Sequence, residues 1–362
     1  MKRIPLLLFS GLLLALGVSC SDSAPKANGE IYIAIVSKGF QHQFWQTVYS
    51  GSKAAAEDLG VKITFEGPPS ETNIDTQIEM VTAALNKKPN ALCLAIIDVS
   101  RLNDKLLAAK AAKIPVIGFD SGIPNAPAGV VASTACTDNY AAGELAAIKM
   151  FEEATIKERL ASATADSPII IGVLSQDVIS VSIVERTRGF IDKFRELANE
   201  VHQNAVAISG HATFAQPATG ETIVDLLIAI PTSTEYSDTQ IAAQKLLAED
   251  TNLIGIFCSN EGTVTGLLSA TNEGKDLDRT NGIYKDITVI GFDAGISQKQ
   301  AVRKQYFYGS ITQDPYRIGY LAVELAYKAI KGESIESVVD TGCKFYSHEN
   351  IDNPDIAPLV YD

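Results

Sequence analysis

Metal-ligating and redox-active side chains are scarce in this 362-residue chain. Its four His, at positions 42, 202, 211 and 348, lack metal-ligand spacing. Its five Cys lie too far apart for a CxxC redox pair or a zinc set, so Cys93, Cys136, Cys258 and Cys343 read as buried free thiols. Basic residues are also in deficit, 30 against 43 acidic, and a net charge of −13 excludes a nucleic-acid surface. No GxGxxG, GxxxxGK[ST], HExxH or GxSxG run is present. The DLDRTNG stretch from Asp276 fails as a calcium loop, because its Gly falls at the seventh place and Ile287 stands at the twelfth. These absences predict no metal, no cofactor and no enzymatic constellation. Only the run from Ile4 to Val18 is strongly apolar at length, and it is too short to be a typical spanning helix.

That run follows Met1-Lys2-Arg3 and precedes Ser19-Cys20, giving a basic head, an apolar core and a small-residue cleavage site over residues 1–19. The arrangement resembles the export signal of a bacterial lipoprotein, which implies lipidation of Cys20 and a polar tether over 20–29. Removing Lys2 and Arg3 leaves 28 basic residues against 43 acidic ones, a net charge of −15.

From Ile31 onward the chain alternates short β-branched runs with amphipathic helical stretches, which specifies a doubly wound parallel sheet. The alternation restarts at Pro168, so one α/β architecture is used twice. Asp138 or Asn139 is expected to cap a helix beginning near Tyr140. Between His202 and Ser233 two candidate strands compete for a place in the sheet, and a last strand-like segment lies near VDTGCKFYS.

Two strands stand out. IPVIGFDSGIP (114–124) and VIGFDAGI (289–296) each end on Phe-Asp, a small residue and Gly. Open α/β sheets bind ligands at the C-terminal ends of their strands, so Asp120 and Asp293 are candidate carboxylates of one crevice. Other polar and aromatic residues fall at equivalent places: Phe44 and Trp45 after the first strand, Arg186 in the first helix of the second half, Asn260 after LIGIFCS, Phe292 beside Asp293, and Gln313 ending GSITQ. His42 lies in the loop before Phe44, with Gln41 and Gln43 as alternatives for its polar contact. Aromatic faces with carboxylates, amides and a guanidinium suit a sugar. An Asp at a strand end also caps helices and fixes turns. Glu185 and Glu261 read as solvated neighbours.

The ordered set FW…GSKAAAEDLG, IPVIGFDS, TDNYAAGELAA, ERTRGF, FCSNEGTVTG, VIGFDAG and SITQDPYRIG resembles the periplasmic sugar-binding proteins of ribose and galactose type, over roughly residues 30 to 345. The resemblance implies two Rossmann-like lobes joined by three hinge crossovers, with residues 30–137 plus 314–342 forming one and 138–313 plus 343–362 the other. It implies Trp45 stacking on the sugar, Asp120 and Asp293 as its carboxylates, Arg186 as the guanidinium, Asn260 as the amide and Gln313 as the hinge glutamine. Thr137 falls at the first hinge. Ser121 replaces an Arg that several ribose-type members carry, Ala95 replaces an Asn, and Tyr236 is preferred to Phe214 as the second lobe's aromatic. The implied function is capture of a monosaccharide or polyol and delivery to an ABC permease by a monomer anchored in the periplasm or at the cell surface. Alternatives are presentation of the ligand to a chemoreceptor or histidine kinase, and binding of a nucleoside or other non-sugar solute. The export signal and the lack of an N-terminal helix-turn-helix argue against a transcriptional effector.

Overall fold

Short runs of β-branched residues bounded by helices produce strands buried on both faces, as a parallel sheet requires. In the computed structural model, which describes residues 30–249 and 252–361, these strands form two sheets. The expected signal over 1–19, the lipidated Cys20 and the tether over 20–29 lie outside the described residues.

The first half runs β1 (Tyr32–Val36), α1 (Gln43–Leu59), β2 (Lys62–Glu66), α2 (Ile74–Asn86), β3 (Ala91–Leu94), α3 (Val99–Ala111), β4 (Val116–Phe119) and β5 (Val131–Cys136). The second continues through α4 (Asn139–Glu152), α5 (Ala154–Ser162), β6 (Ile169–Leu174), α6 (Val181–Val201), β7 (Val206–Ser209), β8 (Val224–Ala229) and α7 (Tyr236–Glu249). Then come β9 (Leu253–Cys258), α8 (Glu261–Ala270), β10 (Thr288–Phe292), α9 (Ile296–Arg303), β11 (Gly309–Gln313), α10 (Pro315–Lys331), β12 (Val338–Asp340) and β13 (Cys343–Tyr346).

Among the described residues one sheet has six strands, ordered β12-β5-β4-β3-β1-β2, and the other seven, ordered β13-β11-β10-β9-β6-β8-β7. All pairs are parallel except the edge pair β11–β13. The chain crosses between the sheets after β5, after β11 and between β12 and β13. The doubly wound fold with three crossovers is therefore present.

Several local expectations change. Both candidate strands between His202 and Ser233 enter the sheet, as the adjacent parallel pair β7–β8 joined by residues 210–223 without a helix. The last segment divides into β12 and β13, which belong to different sheets because Thr341-Gly342 turns the chain between them. β5 was not among the sequence expectations: only Val131 and Thr134 in it are β-branched, the rest being Ala, Ser and Cys. Asp138 caps α4 by accepting the Ala141 amide at 3.0 Å. Cys93 and Cys258 are buried as expected, whereas Cys136 and Cys343, at strand ends beside crossings, are half-buried. Among the described residues no helix is long and apolar enough to cross a membrane.

The lobes repeat one packing device. In the first, a Cβ on Gly51 of α1 would lie 1.9 Å from the Tyr316 carbonyl of α10, and one on Gly319 of α10 would lie 1.9 Å from the Val48 carbonyl of α1. In the second, Gly143 of α4 meets the Arg186 carbonyl of α6 in the same way, and Gly189 of α6 meets that of Tyr140. Backbones in such contact fix where each helix begins, and α1 and α6 begin at the cleft between the lobes.

Candidate functional site

The site grows from two backbone irregularities. Asp120 and Asp293 follow β4 and β10 with left-handed backbones, φ 58° and 77°. Asp tolerates this region better than most residues, yet the conformation is strained and persists only where its surroundings hold it. Here each amide still joins the neighbouring strand: Asp120 N donates to the Ala135 carbonyl at 3.0 Å and Asp293 N to Ile311 at 2.7 Å. The Tyr346 hydroxyl donates to the Asp293 carbonyl at 2.9 Å. The sharp exit turns both side chains off the sheet ends into one narrow cavity.

Eight expected residues meet there: His42, Phe44, Trp45, Asp120, Arg186, Asn260, Asp293 and Gln313. Four others do not line it. Ser121 turns its hydroxyl back to the Ile96 carbonyl at 3.1 Å. Thr137 sits at the hinge, 3.4 Å from Thr341 Oγ1. Tyr236, 40% exposed, stands at the rim, its hydroxyl donating to the Gln41 carbonyl. Phe292 lies beneath the Arg186 guanidinium, ring centroid to Cζ 3.9 Å, and so positions it by stacking.

The two aspartates are held differently. Asp293 is satisfied by amides: Gln313 Nε2 donates to Oδ1 at 2.7 Å and the Glu261 amide to Oδ2 at 2.9 Å. Asp120 Oδ2 pairs with the Lys38 ammonium at 2.8 Å, and a carboxylate has further acceptor sites beyond that one contact for a ligand hydroxyl. Arg186 donates through Nε to Asn139 Oδ1 at 2.8 Å and through Nη1 to the Ser259 carbonyl at 3.2 Å, so its fork is fixed before a ligand arrives. Asn260 caps α8, accepting the Thr263 amide, and its Nδ2 donates to Gln176 Oε1.

Lys38, Glu71, Ser182 and Ile183 also line the cavity, although the sequence reading passed over them. Glu71 accepts Trp45 Nε1 at 2.9 Å and Gln176 Nε2 at 3.1 Å, linking the lobes. Burial works against its charge, but Lys38, His42 and these two donors outweigh it and hold the carboxyl below its usual range. For Lys38 burial likewise opposes the charge, and Asp120 and Glu71 prevail to push its pKa up. Glu261 is a correction: it is 8% exposed instead of solvated, because the head of α8 closes onto α1. Its Oε1 and Oε2 accept the amides of Gln43 and Phe44, and burial pushes its pKa up. Glu185 is exposed as expected. No signal in the sequence marks Glu71 or Glu261, since Glu71 acquires its partners from Trp45, distant along its own lobe, and from Gln176 of the other, and Glu261 acquires Gln43 and Phe44 from the other lobe.

A larger groove lies between β8 and α7, walled by Leu227, Ala229, Ile241 and Leu246. Its one carboxylate, Asp238, is engaged by Thr232 and Ser233. Among the described residues no group of three or more His, Cys, Asp or Glu is placed to hold a metal, and Asp278 merely accepts the Thr280 and Asn281 amides in a turn.

A profile of the family described as periplasmic binding protein domain matches residues 33–334. The chain is 25% identical to the ribose import binding protein of Haemophilus influenzae, over 96% of this chain and 100% of that one. A solved structure described as an ABC transporter, LacI family transcriptional regulator from Brachyspira murdochii is 39% identical, with TM-score 0.75 over 92% of this chain and 99% of its own. A carbohydrate transporter solute binding protein from Agrobacterium radiobacter in complex with D-arabinose is 25% identical, with TM-score 0.75 over 92% and 100%.

Proposed function

Because the chain belongs to the periplasmic binding protein domain family, we propose that it captures a monosaccharide or sugar-like polyol between its lobes and delivers it to an ABC permease. The observation that carries this reading is the pair of left-handed aspartates facing one cavity from equivalent strand ends. Sugar hydroxyls need acceptors and donors on all sides, or their desolvation goes uncompensated. Asp120 supplies a carboxylate with acceptor sites beyond its Lys38 pair, Arg186 a pre-positioned fork, and Trp45 an aromatic ring backed by Phe44 at 5.0 Å between centroids. Relatives support the ligand class, since similar proteins are named for ribose import or hold D-arabinose.

Contacts from both lobes are complete only when the cleft is shut, so the ligand favours closure by its differential affinity for that state. The moving bodies are residues 30–137 plus 314–342 and residues 138–313 plus 343–362, and the permease reads the closed surface. The protein works as an exported monomer tethered through lipid on Cys20, without turnover of its ligand. Mass spectrometry of the small molecule that co-purifies with the protein, followed by calorimetric titration of it and a panel of neutral pentoses and hexoses, tests the assignment. A sugar or polyol bound without chemical change supports it; a non-sugar solute, or conversion of the ligand, overturns it.

A further inference from the structure

Lys38 is a buried cation whose ammonium touches both lobes. It follows β1, and burial leaves it 3% exposed. An ammonium has three donors. Within the first lobe its Nζ meets Asp120 Oδ2 at 2.8 Å; across the cleft it donates to Ser180 Oγ at 3.0 Å and Ser182 Oγ at 3.1 Å. Opening the cleft would return two of these three donors to water. Ser180 is the N-cap residue of α6 but makes no side-chain capping bond, so its hydroxyl is free to accept from Lys38. A cation beside a helix N-terminus opposes the helix dipole. That placement is unfavourable on its own and needs Asp120 beside it, which ties the contact to the ligand-facing carboxylate. Ser121 brings no charge next to Asp120, so the cation of this corner comes from the β1–α1 loop instead.

We propose that Lys38 is a positioning residue that couples ligand capture to lobe closure: anchored on Asp120 in one lobe, it draws Ser180 and Ser182 of the other onto the cleft and shifts the population toward the closed state. This rests on the reading of the cavity as a sugar site closed by hinge motion. A ligand hydroxyl bound to Asp120 would strengthen the corner that holds the ammonium, and a closed lobe would in turn fix the carboxylate for that hydroxyl.

The test compares wild type with Lys38→Met, Ser180→Ala/Ser182→Ala and the triple variant, with thermal unfolding as the control for folding. D-ribose, D-arabinose and a panel of neutral hexoses are titrated by calorimetry, and radii of gyration are measured by small-angle scattering without sugar. Lys38→Met is expected to weaken binding about 10- to 100-fold, the serine pair by less, and the triple variant no more than Lys38→Met alone, because the residues act as one contact across the lobes. All three variants are expected to enlarge the radius of gyration of the sugar-free protein. Wild-type affinity in Lys38→Met, or independent effects that multiply in the triple variant, would overturn the coupling while the sugar reading stands. If wild type binds no sugar in the panel, the sugar reading fails; the scattering then decides the coupling alone, and equal radii in wild type and Lys38→Met overturn it.

Discussion

Glu261 Oε1 accepts the Gln43 amide at 3.0 Å, so a carboxylate at the head of α8 in one lobe caps α1 in the other. Its second oxygen takes the Phe44 amide at 3.2 Å. The exchange is reciprocal, because Gln43 Oε1 accepts the Ile296 amide at the start of α9 at 2.7 Å. Helix starts leave amides without partners, and His42, the N-cap of α1, offers no side-chain bond. Each lobe thus completes a helix of the other.

Glu261 and Glu71 are expected to give opposite pH signatures. Glu261, with a raised pKa, contributes stability at acid pH that is lost as pH rises through the native value. Glu71, with a lowered pKa, contributes stability above the usual carboxylate range that is lost as pH falls through its native value. In thermal unfolding scanned across the carboxylate range, the Tm difference between Glu261→Gln and wild type should therefore move upward with rising pH. That of Glu71→Gln should move downward. Parallel slopes would show that the two environments have been misread.

Asp120→Asn and Asp293→Asn are each expected to weaken ligand binding by about 1.5–3 kcal/mol, the usual range for a hydrogen bond to a charged group. Asp120→Asn should cost more, since it also strips the buried Lys38 ammonium of its counter-ion. Titration calorimetry on the co-purified ligand measures both, and an Asp293→Asn effect clearly exceeding that of Asp120→Asn contradicts this ordering.

Arg186→Lys is expected to lose at least 10-fold in affinity, because a point-charge ammonium cannot stack on Phe292 while holding Asn139 and the Ser259 carbonyl. Retained affinity would place the guanidinium outside the ligand contacts.

Gly51→Ala is expected to destabilise the first lobe by about 1–3 kcal/mol, since its Cβ would overlap the Tyr316 carbonyl and force α1 from α10. Gly60→Ala, where nothing lies within 4 Å but φ is 63°, tests backbone strain alone. Thermal unfolding that ranks Gly60→Ala as the more damaging would contradict the packing argument.

The GFD strands were legible because a buried β-branched run ending in an acid is a local pattern, and local pattern carried the doubly wound parallel sheets and eight cavity residues with it. What stayed hidden has non-local causes. Lys38 reads as an ordinary loop lysine until Asp120, Ser180 and Ser182 converge on it. Glu71 lies in the polar stretch PPSETN and acquires meaning only from Trp45 and Gln176. Glu261 looks solvated until α8 meets α1. β5 escaped because its small residues gain their burial from β4 and β12 on either side.

Small-angle scattering of the wild-type protein, before and after addition of the monosaccharide or polyol it binds, tests the central claim most directly. A radius of gyration that falls on saturation, in Asp120-dependent fashion, is the predicted result. Saturable binding that leaves the radius unchanged across the open and closed conditions would contradict capture by closure between the two aspartates.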